Sequence, residues 1–174
     1  MLIYLATGNA HKAEEFTRLL RVHDLRDIEI RPATAIGGMP HVPEDTGTFL
    51  GNARQKALAL RRLAPGTAWV MSDDSGLCCA ALNGAPGVET ANYAYPGAPA
   101  PAHRAKLLSA LHDIPESHRG AYFFCLLFLI SPEGVEYVVP GSCNGSILRE
   151  ERGTGGFGYD PVFRAAGTDC SFAE

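Results

Sequence analysis

The chain lacks the features that build a covalent or metal-caged scaffold. Its five cysteines are an odd number, two of them adjacent at Cys78-Cys79, and none shows C-x-x-C spacing, which argues against structural zinc and a disulfide framework. The six histidines show no H-x-x-x-H or similar spacing, so a histidine metal site has no support. An excess of one charge is missing too. A net charge of −4 with both signs dispersed speaks against a nucleic-acid polymer or a membrane surface as partner. The longest apolar run, Ala121 to Ile130, is about half of what would span a bilayer. It reads as a central strand, followed by a Ser131-Pro132-Glu133-Gly134 turn and a return strand around Val135 to Val139. No basic region or cleavage site flanks Met1-Leu2-Ile3, so no leader is expected and the expected location is the cytoplasm. Repeats and low-complexity tracts are absent, and the length suits a single domain over residues 1–174 with a real core.

What is present is local and chemical. The apolar run Ala68-Trp69-Val70-Met71 leads into Ser72-Asp73-Asp74-Ser75-Gly76. Two adjacent carboxylates therefore stand where a buried strand is expected to give way to a loop. A turn at Ser75 and Gly76 would bring both into one cleft, and like charges that close call for a shared cation. A solvated Asp-Asp-Ser-Gly turn is the plainer use of the same residues.

At the amino terminus the order is strand, turn, helix. Leu2 to Ala6 reads as a buried strand and Thr7-Gly8-Asn9-Ala10 as a turn; from Lys12 onward Ala13, Phe16 and Leu20 lie on one helical stripe. Turn amides and a helix N-terminus carry partial positive charge, and Lys12 adds a full one, so phosphate is the natural guest. Asn9 as an ordinary N-cap is the alternative.

Between these lies Pro43-Glu44-Asp45-Thr46-Gly47-Thr48, then a helical pattern from Phe49 to about Leu63 with Phe49, Ala53, Ala57 and Leu60 on its apolar stripe. Asn52 and Lys56, four apart, share another face. That face sets a cation and an amide near Glu44.

The segment Gly153-Thr154-Gly155-Gly156-Phe157-Gly158-Tyr159-Asp160-Pro161 contains G-x-G-x-x-G. A dinucleotide site would need a helix opening there and an acidic residue about twenty positions on, whereas Pro161 follows at once. That oxidoreductase reading is set aside. A flexible backbone presenting Phe157 and Tyr159 as flat faces for a base, with Asp160 as an acceptor, fits better; aromatics packed into the core are the alternative.

In this order the strings Ala6 to Lys12, Pro43 to Gly47 with Asn52-Ala53 and Lys56-Ala57, Ser72 to Leu77, Gly84-Ala85-Pro86-Gly87 and Gly155 to Pro161 resemble the inosine triphosphate pyrophosphatase family. The resemblance covers nearly the whole chain. It implies an α/β fold with an elongated mixed β-sheet flanked by helices, in two lobes around a central nucleotide cleft, and a homodimer. It also implies magnesium-dependent hydrolysis of deaminated purine nucleoside triphosphates such as ITP, dITP and XTP to monophosphate and pyrophosphate. A nucleoside triphosphate brings about four negative charges, which must be neutralised before a nucleophile approaches. Glu44 and Asp73 are accordingly the expected magnesium ligands. Asp74 is the expected general base toward the α-phosphorus, also reaching the metal. Thr7, Gly8, Asn9, Ala10, His11, Lys12, Lys56 and Ser75 would line the phosphates; Phe157 would stack on the base, with Gly158, Tyr159 and Asp160 at the sugar and base edge. A pyrophosphatase for pyrimidine or modified nucleotides, or a binding module without catalysis, remains the alternative.

The family's usual Lys and Ile-Ser-His-Arg segment lies beyond Ser171-Phe172-Ala173-Glu174, so poor discrimination between inosine and adenosine triphosphates is expected of the chain as given. Ser117-His118-Arg119-Gly120 spells part of that motif but leads into a core strand, and is not assigned to the base. Glu89 and Asn92 stand where Tyr and Arg are more often found, and Gly51 where Glu is usual.

Overall fold

A computed structural model of the chain describes residues 1–8 and 10–174, with Ala10 and His11 described as backbone only. The expectations placed on Asn9 and on the side chains of Ala10 and His11 lie outside the described residues.

The fold is α/β. Six strands, β1 (Leu2–Leu5), β2 (Glu29–Pro32), β3 (Trp69–Cys79), β4 (Gly120–Ile130), β5 (Glu136–Ile147) and β6 (Phe163–Ala165), form one sheet in the order β2-β1-β3-β4-β5-β6. Three helices accompany them: α1 (Ala10–Val22), α2 (Phe49–Arg61) and α3 (Ala100–Ala110). The sheet is mixed. β1 runs parallel to both β2 and β3, while β5 pairs antiparallel with β6. Parallel neighbours need a crossover, and α1 supplies the one between β1 and β2.

Two compact units share the chain, one of residues 1–74 and 126–140, the other of 75–125 and 141–174. In the first, Ile3, Leu5 and Met71 from β1 and β3 bury against Ala13 of α1, with Phe16, Ile28, Ile30, Trp69, Leu127 and Leu129 around them. In the second, Leu77, Leu107, Leu111, Ile147, Val162 and Phe163 form the core. Phe163 there packs edge-on against Phe123 at 4.7 Å and against Phe172 at 4.9 Å between centroids.

Local chemistry sets the ends of α2. The Thr48 hydroxyl accepts from the Gly51 amide at 3.0 Å, an N-cap worth about 1 kcal/mol. At the other end the Arg61 guanidinium donates to the carbonyls of Ala64, Pro65 and Ala68, just past the helix.

Two boundaries depart clearly from expectation: the return strand β5 runs on to Ile147 instead of ending near Val139, and β3 outlasts its expected end. β3 does not yield to a loop at Ser72 but continues through Asp73, Asp74, Ser75 and Gly76 to Cys79. The pleat supplies the reason. Adjacent strand residues face opposite ways, so the two carboxylates need no turn to be kept apart. All of β3 but Ser75 and the half-buried Trp69 is buried.

Candidate functional site

The charged cluster of the first unit is assembled by β3, α1, α2 and the loop before α2. Asp73 is 4% and Asp74 7% exposed, a depth at which an unpaired carboxylate would be costly. Each has a lysine. The Lys12 ammonium, in the first turn of α1, donates to Asp73 Oδ2. Lys56 Nζ, from α2, stands 2.9 Å from Asp74 Oδ1 and 3.2 Å from Glu44 Oε2, so the carboxylates of Glu44 and Asp74 converge on one cation. Each carboxylate of the doublet is thus paired with its own lysine.

Burial pushes the Asp74 carboxyl above the usual aspartate range, against the pull of the Lys56 ammonium; Glu44 adds to the rise and the Asn52 amide opposes it. For Lys56, burial works downward, but hydrogen bonds and charge from Asp74 and Glu44 prevail and hold it above the usual lysine range. The raised carboxyl is a better proton acceptor than an ordinary aspartate. Around the cluster, the Ser72 hydroxyl donates to the Ala53 carbonyl at 2.6 Å, which fastens α2 to β3. Arg54 grips Glu136 through two contacts of 3.0 and 2.8 Å, which fastens it to β5.

A cavity of about 430 Å³ opens beside Thr7 and Gly8, with Arg18 and Arg21 of α1 also on its wall. Among the described residues Glu14 is on its wall, while Lys12, Glu44, Asp73 and Asp74 are not.

Among the described residues no three His, Cys, Asp or Glu side chains stand close enough to cage an ion by themselves. Magnesium does not require such a cage: it takes one or two carboxylates and completes its shell with water and substrate phosphate. Hard oxygen donors at Glu44, Asp73 and Asp74, with Lys56 Nζ now between two of them, fit an ion that arrives with a polyphosphate.

In the second unit, Ser75 is the one exposed residue of β3. The segment 153–161 is shaped by its own backbone. Phe157 N–H donates to Asp160 Oδ2 at 2.7 Å, Asp160 N–H donates back to Phe157 O at 3.0 Å, and Gly155 N–H reaches Ala173 O at 2.9 Å. Arg104 of α3 donates to Gly158 O at 2.8 Å and pairs with Glu151. At Gly156 (φ +68°) a Cβ would overlap the Asp160 carboxylate. The result is a tight turn that holds the Phe157 ring 68% exposed. Tyr159, expected at the sugar, lies in the core instead, with its hydroxyl donating to Thr90 O at 3.0 Å. Its neighbour Asp160 likewise braces the turn. After this segment comes a short 3-10 turn, Asp160–Val162, and then β6, so no helix opens where a dinucleotide site would need one.

Ser117-His118-Arg119-Gly120 does not belong to this turn. Arg119 is 2% exposed, and its guanidinium donates to the carbonyls of Leu111, Ile147 and Leu148 at 2.5 to 2.8 Å. His118 lines a cavity of about 660 Å³ with Ala80, Ala81, Ile114 and Pro115, and Phe157 is not on its wall. Glu89 and Asn92 are exposed on the turn Gly87–Asn92, and nothing in the structure explains their identity.

In the sequence Asn52 stood as a partner of Lys56 on one helix face and within a string shared with the resembled family, with no role assigned. Its role shows in three dimensions: it is 1% exposed and bonded to both Asp74 and Thr46. The signal was a polar residue on a helix at the spacing that also carries Lys56.

Residues 3–174 match the sequence profile of the Ham1 family. A dITP/XTP pyrophosphatase of Opitutus terrae is 56% identical over 178 residues, covering 100% of this chain and 87% of the relative. A second, from Desulforamulus reducens, is 41% identical over 174 residues and covers 100% and 84%. Among solved structures, a HAM1 protein from Coxiella burnetii superposes with a TM-score of 0.86 at 36% identity, covering 99% of this chain and 86% of that one. A nucleoside-triphosphatase, dITP/XTP pyrophosphatase, from Mycobacterium abscessus gives 0.81 at 38% identity, with coverage of 99% and 86%.

Proposed function

The chain belongs to the Ham1 family, and from that premise we propose that it hydrolyses deaminated purine nucleoside triphosphates such as ITP, dITP and XTP to the monophosphate and pyrophosphate. The observation that carries the reading is the buried pair Asp73-Asp74, each carboxylate met by a lysine from a different helix. A module that only bound a polyanion would gain nothing from buried negative charge facing it.

Glu44, Asp73 and Asp74 would hold magnesium, which when bound would neutralise phosphate charge and lower the pKa of water. Asp74 takes the proton from the water that attacks the α-phosphorus, and its raised pKa suits that task. Lys56, released from Asp74 and Glu44 as substrate arrives, meets the departing pyrophosphate together with Lys12 and the amides after Thr7. Ser75 donates to a phosphate oxygen. The exposed Phe157 ring stacks on the base, and the Gly158 to Asp160 turn holds it there.

The reading extends to a homodimer in the cytoplasm. In favour of the dimer, Tyr137, Val138 and Val139 of β5 are each about half exposed, apolar surface that a second copy could cover. Sedimentation velocity tests it, and a monomer at micromolar concentration overturns it. Among the described residues no helix is long and apolar enough to cross a membrane.

The experiment for the activity is incubation with magnesium and a panel of nucleoside triphosphates. Monophosphate plus pyrophosphate from ITP, dITP or XTP is expected. Release of orthophosphate, or turnover of pyrimidine nucleotides alone, would replace this reading with another.

A further inference from the structure

We propose that Asn52 is a positioning residue that ties the loop carrying Glu44 to Asp74, and that Gly51 is the residue that makes room for the tie. The proposal rests on the reading of Glu44 and Asp74 as the carboxylates of the site.

The orientation of the amide follows from its partners. Asn52 Oδ1 accepts from Thr46 N at 3.2 Å and from Thr46 Oγ1 at 2.8 Å, while Nδ2 donates to Asp74 Oδ2 at 3.4 Å. A backbone N–H can only donate and a carboxylate can only accept, so the opposite flip would leave both contacts repulsive. Only a side chain that accepts at one end and donates at the other can join these groups. Aspartate would keep the Thr46 contacts but face Asp74 with a second negative charge, and alanine would leave Asp74 and the Thr46 amide without this partner. Thr46 lies two residues past Glu44, and Glu44 and Asp74 both bond Lys56. Asn52 thus closes a ring, Glu44–Thr46–Asn52–Asp74–Lys56, that sets the spacing of the two carboxylates.

Gly51 is the second half of the device. A Cβ there would overlap Thr46 Oγ1 and stand 2.6 Å from Thr46 Cβ and 2.8 Å from Thr48 Oγ1. Glycine is a poorer helix former than alanine, so helix propensity does not account for its presence. The space it leaves is where the Thr46 hydroxyl sits to reach Asn52.

The test uses the full chain and reads two quantities: binding of Mn²⁺ as the probe, followed by its electron paramagnetic resonance without nucleotide, and kcat for ITP. Asn52→Ala is expected to weaken Mn²⁺ binding and to lower kcat, each by about 10- to 100-fold, as for other groups that orient ligands. Gly51→Ala should weaken Mn²⁺ binding by pushing Thr46 aside. Gly51→Ala/Thr46→Gly should recover much of that loss, since the Thr46 side chain is gone, the Thr46 amide still reaches Asn52, and only the Thr48 hydroxyl stays close to the new methyl. A lower melting temperature for Asn52→Ala with Mn²⁺ affinity and kcat unchanged would make Asn52 structural only and overturn the proposal. Should Asn52→Ala not fold, the Gly51 pair decides, and no recovery in the double variant overturns it. Wild-type protein that binds Mn²⁺ with this dependence yet releases no pyrophosphate from any triphosphate sinks the proposed activity and leaves the positioning role standing.

Discussion

In the first unit, the tips of Asp73, Asp74, Glu44, Lys12 and Lys56 are held by one another and by Asn52. In the second, the turn from Gly153 to Pro161 is held by main-chain amides and carbonyls, with Asp160 and Arg104 anchoring backbone atoms. The first arrangement stores charge; the second displays a ring. Side-chain ion pairs can be exchanged for contacts with an incoming polyanion and cation without moving the backbone. A turn built from backbone bonds keeps its shape whatever lies on it. The two regions should therefore fail differently: the cluster through rate and charge dependence, the turn through affinity.

The largest effect is expected at Asp74. Asp74→Asn removes the proton acceptor but keeps the shape, so kcat should fall by about a hundredfold or more while nucleotide affinity stays nearly intact. Steady-state kinetics beside a nucleotide-binding titration check this, and a near-normal rate removes Asp74 from the chemistry. Lysine removal comes next. Lys12→Ala and Lys56→Ala should each weaken triphosphate binding by about tenfold or more and monophosphate binding much less, because the charge they meet is in the pyrophosphate portion. Equal losses for the two ligands would mean that the lysines serve the resting ion pairs alone.

Phe157→Ala addresses the other side of the comparison. The ring is exposed, so its loss should raise KM by about tenfold through lost stacking, with kcat and melting temperature almost unchanged. A fall in kcat without a change in KM would move Phe157 out of binding and into the chemistry. The smallest effect concerns an acid buried without a carboxylate's partners. Burial pushes the Cys79 thiol up to about 12, with Cys78 adding to the rise and Arg119 opposing it. Its folded value lies above its unfolded one, near 8.5. The folded chain therefore holds the proton longer, and the stability this contributes is complete below about pH 8.5 and is lost as pH rises toward about 12. Thermal melts of wild type should steepen their decline above about pH 9 relative to Cys79→Ala; parallel slopes would show that the buried thiol is not the group responsible.

Much of the fold was legible because its signals are local. Apolar runs became β1, β3 and β4, and a 3.6-residue stripe became α2, with the Thr48 cap ending it on the amino side. The lysines and carboxylates were legible as residue types at meaningful spacings. The extent of β3 was not, because Asp-Asp-Ser-Gly reads as a turn until two lysines from elsewhere neutralise it. Tyr159 and Phe157 were indistinguishable as aromatics in a glycine-rich segment. Only packing separates the ring that bonds Thr90 from the ring that faces solvent.

By itself the sequence determined about where β1, β3, β4 and α2 begin, because hydrophobic periodicity and capping act over a few residues. It also determined which side chains carry charge near one another along the chain. The tertiary structure alone decided that Asp73 answers to Lys12, 61 residues away, and Asp74 to Lys56 and Asn52. It decided too that the space above Gly51 belongs to Thr46, and that Arg119 is spent on three carbonyls. Those outcomes depend on distances between segments that local propensity does not encode, and on burial, which makes an unpaired charge or amide too costly to leave in place.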